Sequence, residues 1–422
     1  MRRKSTRWKY AVLCQLCQLI PACLVPRIAR EHGVDKRART FSPWSHVVAL
    51  LYAQLAHCVS LHDVCDGLRH HEGKLWAIRG ATSPAKNTLS HANRNRDAKM
   101  AEDLFWQTFN HLASLRPGFT KGSRVYMPRR FTRVVRAIDA TTIRLVADCM
   151  DWAKHRRRKA AAKLHLSLNL QCFLPSFVVV DAARHQDCTR APALCANMKP
   201  GEIALFDKAY VDFALLADLS EREIFWVTRP KENLSFRCVR KLQVPRGGNI
   251  LSDKVVALTG CVSKDKYFGK VRIIHALVEV DSEMREMTFM TNNMEWAASS
   301  ICELYKSRWS IEVFFKEIKQ TLQLCDFLGH NKNAISWQIW TALLLYVLLR
   351  FMAFIHSWEM GFKRLFCVIR SCIWDSVKIE SILGFCGTAR GHPSMSAAPQ
   401  QAYLPGFEPE VRRGHRLLWD SK

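Results

Sequence analysis

The stretch "ELYKSRWSIEVFFKEIKQTLQL", residues 303–324, sets Arg308, Glu312, Lys316, Glu317 and Lys319 among Trp309, Ile311, Phe314, Phe315 and Ile318. On a helix at about 100° per residue, with Tyr305 as origin, Arg308 falls near 300°, Glu312 near 340° and Lys319 near 320°. These four polar groups share an arc of about 60°, while the apolar set mostly falls elsewhere and can anchor the helix in a core. Such a ridge would line a cleft, with a carboxylate between cations. The plainer alternative is a helix-stabilising i,i+4 pair of Arg308 with Glu312, worth a few tenths of a kcal/mol. Spacing alone leaves both open.

Several kinds of element must position that ridge. "TRVVRAIDATTIRLVA", from 132, alternates and is rich in Val, Ile and Thr, which reads as a strand carrying Asp139. "HLSLNLQCFLPSFVVVDAA" reads as two more strands, and "EIALFDKAYVDFALLADL" as a short strand ending at Asp207, followed by a helix. These segments imply an α/β layer. Residues 224–293 carry nearly pure strand signals, broken by the turn-like "PKEN", "PRGGN" and "SKDKYFGK". Helix then resumes through the opening stretch, so a β block separates a strand-borne Asp from a helix-borne Glu.

Residues 41–115 read as short helices, the first opening on Ser42 as cap and Pro43 in the first turn. One of them presents Lys86, Asn87, Ser90, Asn93, Arg94 and Arg96. That pattern suits a helix-turn-helix reader of DNA, with Lys86 and Arg94 as contacts, and it equally suits a helical bundle with a solvated basic face. After 384 the chain turns rich in Gly, Pro and Ser, and a loose tail is expected.

Lys and Arg total 63 against 37 Asp and Glu, a formal net charge of +26. Such an excess attracts polyanions, nucleic acid first among them. The run Lys154, Arg156, Arg157, Arg158 and Lys159 fits a phosphate-backbone contact, with a solvated loop of spare charge as its rival reading. The sixteen cysteines are scattered, mostly in apolar segments, and the single C-x-x-C at Cys14 and Cys17 has no second pair at zinc spacing. Reduced thiols in a cytosolic protein follow. Two segments imitate membrane signals. In the N-terminal one Leu13, Leu16, Ile20 and Leu24 recur at three- and four-residue steps, as in an amphipathic helix. Residues 337–358 are long enough to span a bilayer, yet Arg350 lies near their middle and a central core helix is expected instead.

Tyr305, Arg308, Glu312 and Lys319 fill Y-x-x-R-x-x-x-E-x-x-x-x-x-x-K, and this resembles the signature of bacterial insertion-sequence transposases of the DDE class. The resemblance is to the branch with a β insertion before the catalytic Glu. "DKAYVDF" resembles the second-Asp motif, usually Asp-Arg-Gly-Tyr, with Lys208 and Ala209 departing from it; "IDATTIRL" resembles the first-Asp motif. The likeness runs from about residue 5 to 385 and implies an α/β fold with a ribonuclease-H-like catalytic core interrupted by an all-β insertion, preceded by a helical DNA-binding domain. The implied divisions are a helical front over 1–125, the core over 126–223 and 295–358, the insertion over 224–294, and a helical region and tail over 359–422.

The resemblance further implies that Asp139, Asp207 and Glu312 are catalytic and hold two Mg²⁺ or Mn²⁺ ions, and that Tyr305, Arg308 and Lys319 grip phosphates of the transposon end rather than pairing with acids. Asp181 is the rival strand-end acid to Asp207. Transposon-end and target DNA would be the partners, in a homodimeric synaptic complex at the bacterial nucleoid, with no membrane. A relic that binds DNA without cutting it is the alternative.

Overall fold

The computed structural model describes residues 10–387 except 37, 122–129, 146–153, 157–158, 183–186, 245–247, 281 and 325–326. The C-terminal stretch expected to be a loose tail, from 388 on, therefore lies outside the described residues, as do Arg157 and Arg158.

The front of the chain is helical: α1 (Val12–Gln18), α2 (Leu24–Glu31), α3 (Pro43–Ala56), α4 (Leu61–His70), α5 (Glu72–Trp76), α6 (Lys86–Asn95), α7 (Lys99–Leu115) and α8 (Gly118–Lys121). Pro21 divides the amphipathic N-terminal run into α1 and α2, yet Leu13, Leu16, Ile20 and Leu24 are all buried as their spacing requires. Ser42 caps α3 by accepting the Ser45 N–H at 3.0 Å, and Pro43 occupies the first turn.

A mixed sheet follows, built from β1 (Val135–Leu145), β2 (Lys154–Arg156), β3 (Lys159–Asn169), β4 (Leu174–Ala182), β5 (Ile203–Phe206), β6 (Phe225–Thr228), β7 (Phe236–Lys241), β8 (Ile250–Leu258), β9 (Lys270–Val280) and β10 (Glu283–Thr291). Its order is β2-β3-β1-β5-β6-β10-β9-β8-β7, with β4 also on β3. β1 runs antiparallel to β3 and parallel to β5, and β5 runs parallel to β6. Between the strands lie α9 (Ala191–Cys195), α10 (Phe213–Glu221) and α11 (Cys261–Lys266).

The stretch expected to be an all-β insertion differs in two ways. β6 belongs to the parallel part of the sheet, and α11 interrupts the strands that follow it. β10 then pairs antiparallel with β6, Met290 facing Thr228 and Thr291 facing Val227, so β7–β10 extend the same sheet. The free edge of β6 presents unpaired N–H and C=O groups, and β10 satisfies them.

The chain returns to helix in α12 (Ala298–Ser307), α13 (Ser310–Lys316), α14 (Lys332–Ile355), α15 (Phe362–Ser371) and α16 (Ile379–Gly387). One sheet face, with Val135, Ala137, Ile203 and Leu205, shares a core with α1–α7 and α12–α16; the other, with Ile138, Ala204 and Phe206, packs on α9 and α10. The front helices thus share a core with α14 rather than closing one of their own, and the first N–H groups of α1 bond to Asp375 O at 3.1 Å and Ile373 O at 3.0 Å. By length and composition α14 could cross a bilayer, but 78% of its most apolar window is buried inside the protein. Trp226 is fully buried and Trp296 packs on Phe225 at 4.9 Å between ring centres, so both serve the core.

Candidate active site

Asp139 and Asp207 are brought side by side by strand register. β1 and β5 pair in parallel up to Ile138 with Phe206, and the next residue on each chain is an aspartate. Neighbouring strands lie about 4.8 Å apart, and alternation points both side chains to the face of Ala137 and Leu205. β5 ends there, and Asp207 leads into a 3₁₀ turn at Lys208–Tyr210. Asp181 lies on β4, which pairs with β3 and not with β1 or β5.

The third acid arrives from above. α13 packs across β1 and carries Glu312, whose side chain is 63% exposed. Between the acids sits Arg308, 7% exposed, with one terminal nitrogen 3.1 Å from Asp139 Oδ2 and the other 3.5 Å from Glu312 Oε1. The second oxygen of Asp139 accepts the Ala140 N–H at 2.8 Å. Tyr305 is buried, its ring centre 5.6 Å from the guanidinium, and burial raises its hydroxyl pKa. Burial pushes the Asp139 carboxyl from its ordinary 3.8 up to about 6, against the pull of the Ala140 N–H and Arg308. The charges of Asp207 and Glu312 add to that rise, so Asp139 lies within the field of both other acids.

Two expectations need correction here. Arg308 pairs with acids, because a guanidinium this buried requires compensation and the carboxylates are the anions at hand. Nor is 303–324 one regular helix. It breaks at Arg308–Trp309 and passes into a π turn at Glu317–Thr321, where the Leu322 N–H reaches Glu317 O at 3.0 Å. A π turn advances by less than about 100° per residue, so Lys319, which lies inside it, does not follow the ridge that a constant 100° gives it. Lys319 is half-buried and has no ion pair or hydrogen bond among the described residues.

Among the described residues no three His, Cys, Asp or Glu side chains stand close enough to hold a metal ion as arranged. The donor set nevertheless suits a hard divalent cation, being three carboxylates on a rigid strand, a strand end and a helix. Arg308 supplies the positive charge between two of them, and the exposed Glu312 side chain can turn without disturbing packed neighbours. Cys14 and Cys17 do not compete for such a role. Burial raises both thiol pKa values, that of Cys17 to about 12, which disfavours thiolate ligands.

In the front helices, Lys86 and Arg94 are exposed on α6 and Arg94 lines a groove of about 680 Å³ with Ser90, His330 and Lys332. Asn93 and Arg96, read above as presented by the same helix, turn inward. Asn93 Oδ1 meets His46 Nε2 at 2.7 Å, and Arg96 donates to the carbonyls of Phe41 and Ser42. Lys154 and Arg156 lie on β2 at the sheet edge. Sequence reasoning missed Lys231, which lines a cavity of about 510 Å³ with Asp207 and Lys208; it falls in a segment that reads only as a turn.

The raised Asp139 pKa has a measurable consequence. A carboxyl that binds its proton more tightly folded than unfolded contributes stability in full below pH 3.8, and that contribution is lost as pH rises through about 6. Metal-free wild-type protein should therefore lose thermal stability relative to Asp139→Asn between about pH 4 and 6, by at most about 3 kcal/mol, and run parallel to it above. Melting curves of both across that range test it; a constant gap would contradict it.

The transposase DDE domain family matches residues 130–348, and a family described only as a domain of unknown function matches residues 9–78. A putative transposase of Sinorhizobium fredii is 28% identical over 305 residues, covering 71% of this chain and 80% of that one. A probable insertion-sequence transposase of Geobacillus stearothermophilus is 26% identical over 223 residues, 53% of this chain and 58% of its own. A putative insertion-sequence transposase of Synechocystis is 23% identical over 276 residues, 65% of this chain and 73% of its own. Among solved structures, the piggyBac transposase synaptic complex with hairpin DNA aligns over 88% of this chain and 82% of that one. Its TM-score of 0.42 at 10% identity is too loose to carry an argument.

Proposed function

The chain belongs to the transposase DDE domain family and is a DNA transposase, an enzyme of DNA cleavage and strand transfer, and from that premise we propose that Asp139, Asp207 and Glu312 are its catalytic carboxylates. The observation that carries this reading is the register of β1 and β5, which sets two aspartates beside each other under the helix that bears Glu312. Enzymes of this family work with divalent metal ions. Here the three carboxylates would hold two Mg²⁺ or Mn²⁺, which lower the pKa of an attacking water or 3′ hydroxyl and steady the leaving oxygen.

The remaining roles fall to the chain's own groups. Arg308, now shared by Asp139 and Glu312, can exchange a carboxylate for a phosphate oxygen when DNA enters. Lys319, without a partner among the described residues, supplies a second phosphate contact, and Tyr305 backs the guanidinium from below. Lys86 and Arg94 on α6, Lys154 and Arg156 on β2, and Arg157 and Arg158, which lie outside the described residues, extend the track for the DNA backbone. The strands β4-β3-β1-β5-β6 form the ribonuclease-H-like core and β7–β10 the insertion, with the DNA-binding front in residues 1–125. The protein binds the inverted-repeat ends of its own insertion sequence as a homodimer at the bacterial nucleoid, cuts them and joins the 3′ ends to target DNA.

The test is to measure end binding and strand cleavage side by side, using repeats read from the DNA flanking the gene. Metal-independent binding should accompany cleavage that requires Mg²⁺ or Mn²⁺ and leaves a 3′ hydroxyl. Tight end binding with no cleavage in either metal would mark a DNA-binding relic instead.

A further inference from the structure

The π turn at Glu317–Thr321 follows Glu312 and contains Lys319, and its first residue is tied deep into the interior. Glu317 and Arg350 are 11% and 18% exposed, and Arg350 donates to Glu317 Oε2 at 2.7 Å. Arg350 Nε donates to the Tyr346 hydroxyl at 2.9 Å, and that hydroxyl donates to the carbonyl of Phe173 at 3.0 Å. Phe173 lies in the turn joining β3 and β4, with φ at 60°. The guanidinium stands 5.0–5.1 Å from the ring centres of Phe173, Tyr346 and Phe362. Phe314, two residues past Glu312, meets Tyr346 edge-on at 5.0 Å. The helix is thus gripped on both sides of Lys316, by a ring before it and an ion pair after it.

A buried ion pair is a weak source of stability, since desolvation offsets much of the attraction and an apolar pair of similar volume often does as well. What an apolar pair lacks is direction. Charged hydrogen bonds fix which residue faces inward at the point where the backbone leaves α-helical register. We propose that Glu317 and Arg350 are positioning residues: they hold the π turn in register and so set where Lys319 stands relative to Glu312 and the scissile phosphate. This rests on the roles assigned above to Glu312 and Lys319.

The experiment compares wild type with Glu317→Gln and with the apolar double variant Glu317→Leu/Arg350→Met. Melting temperature, end-binding Kd and single-turnover cleavage at saturating DNA are read for each. The double variant should melt within about 4 °C of wild type and bind ends within about threefold, yet cleave about 30-fold or more slowly, because misplacement of about 1 Å can cost 10²-fold. Glu317→Gln should show the same split well below its own melting temperature, and it decides the matter if the double variant does not fold. Wild-type cleavage by the folded variant tested reduces the pair to a structural role and overturns the inference. Glu312→Gln run in parallel separates the two failures: if it cleaves, the site reading is wrong; if it is dead while Glu317 variants cleave normally, only the positioning role is wrong.

Discussion

Asp139→Asn and Glu312→Gln should each lower strand cleavage about 10³-fold or more, with end binding within about threefold of wild type. Both changes keep the shape of the side chain, turn one acceptor oxygen into an amide donor and remove the charge that a divalent cation needs. The two variants should part company in stability. Asp139 is largely buried and its carboxyl is pushed up to about 6, so ionising it at pH 7.5 costs the metal-free fold, and the amide removes that cost. Glu312 is 63% exposed, and its replacement should leave the melting temperature nearly unchanged. An inactive but more heat-stable Asp139→Asn protein is the signature of a group retained for chemistry against folding. Full cleavage by either variant, with metal dependence intact, would sink the assignment.

Arg308→Ala should produce the second large effect, a fall in cleavage of about 10²-fold together with weaker end binding. Its guanidinium is the cation nearest both Asp139 and Glu312, and its removal leaves a buried carboxyl facing an apolar gap. The Asp139 pKa should then climb further, so the pH–rate profile of the variant should shift to higher pH. Arg308→Lys should fall between the two, since one ammonium cannot span two carboxylates as a planar fork does. The profiles are read from single-turnover cleavage between pH 6 and 9; superimposable curves for wild type and Arg308→Ala would refute the proposed coupling.

The parts of this arrangement that depend on near neighbours were legible in the chain. Arg308 and Glu312 stand four residues apart and meet, and the Ser42–Pro43 start signal marks where α3 begins. What depends on distant pairing was not. The adjacency of Asp139 and Asp207 is decided by which residue of β5 faces which residue of β1, and no local pattern encodes that register. The break at Arg308–Trp309 and the π turn defeat a wheel that advances by a constant angle. Asn93 looks like a base-reading side chain until His46, 47 residues earlier, is seen to claim it. Likewise the strand signals of residues 224–293 are real, but whether they fold back on themselves or lengthen an existing sheet is settled by the open edge of β6.

The bonds from the start of α1 to Ile373 and Asp375 have a bearing on how the molecule is made. As the polypeptide leaves the ribosome, its opening helices cannot settle until the closing ones emerge, some 360 residues later by the span of those bonds. A product cut short before that point keeps bare apolar surfaces on α1 and its neighbours, and is exposed there to proteases. Joining residues 12 and 13 to 375 and 373 in this way makes synthesis through residue 375 a condition for a durable nuclease.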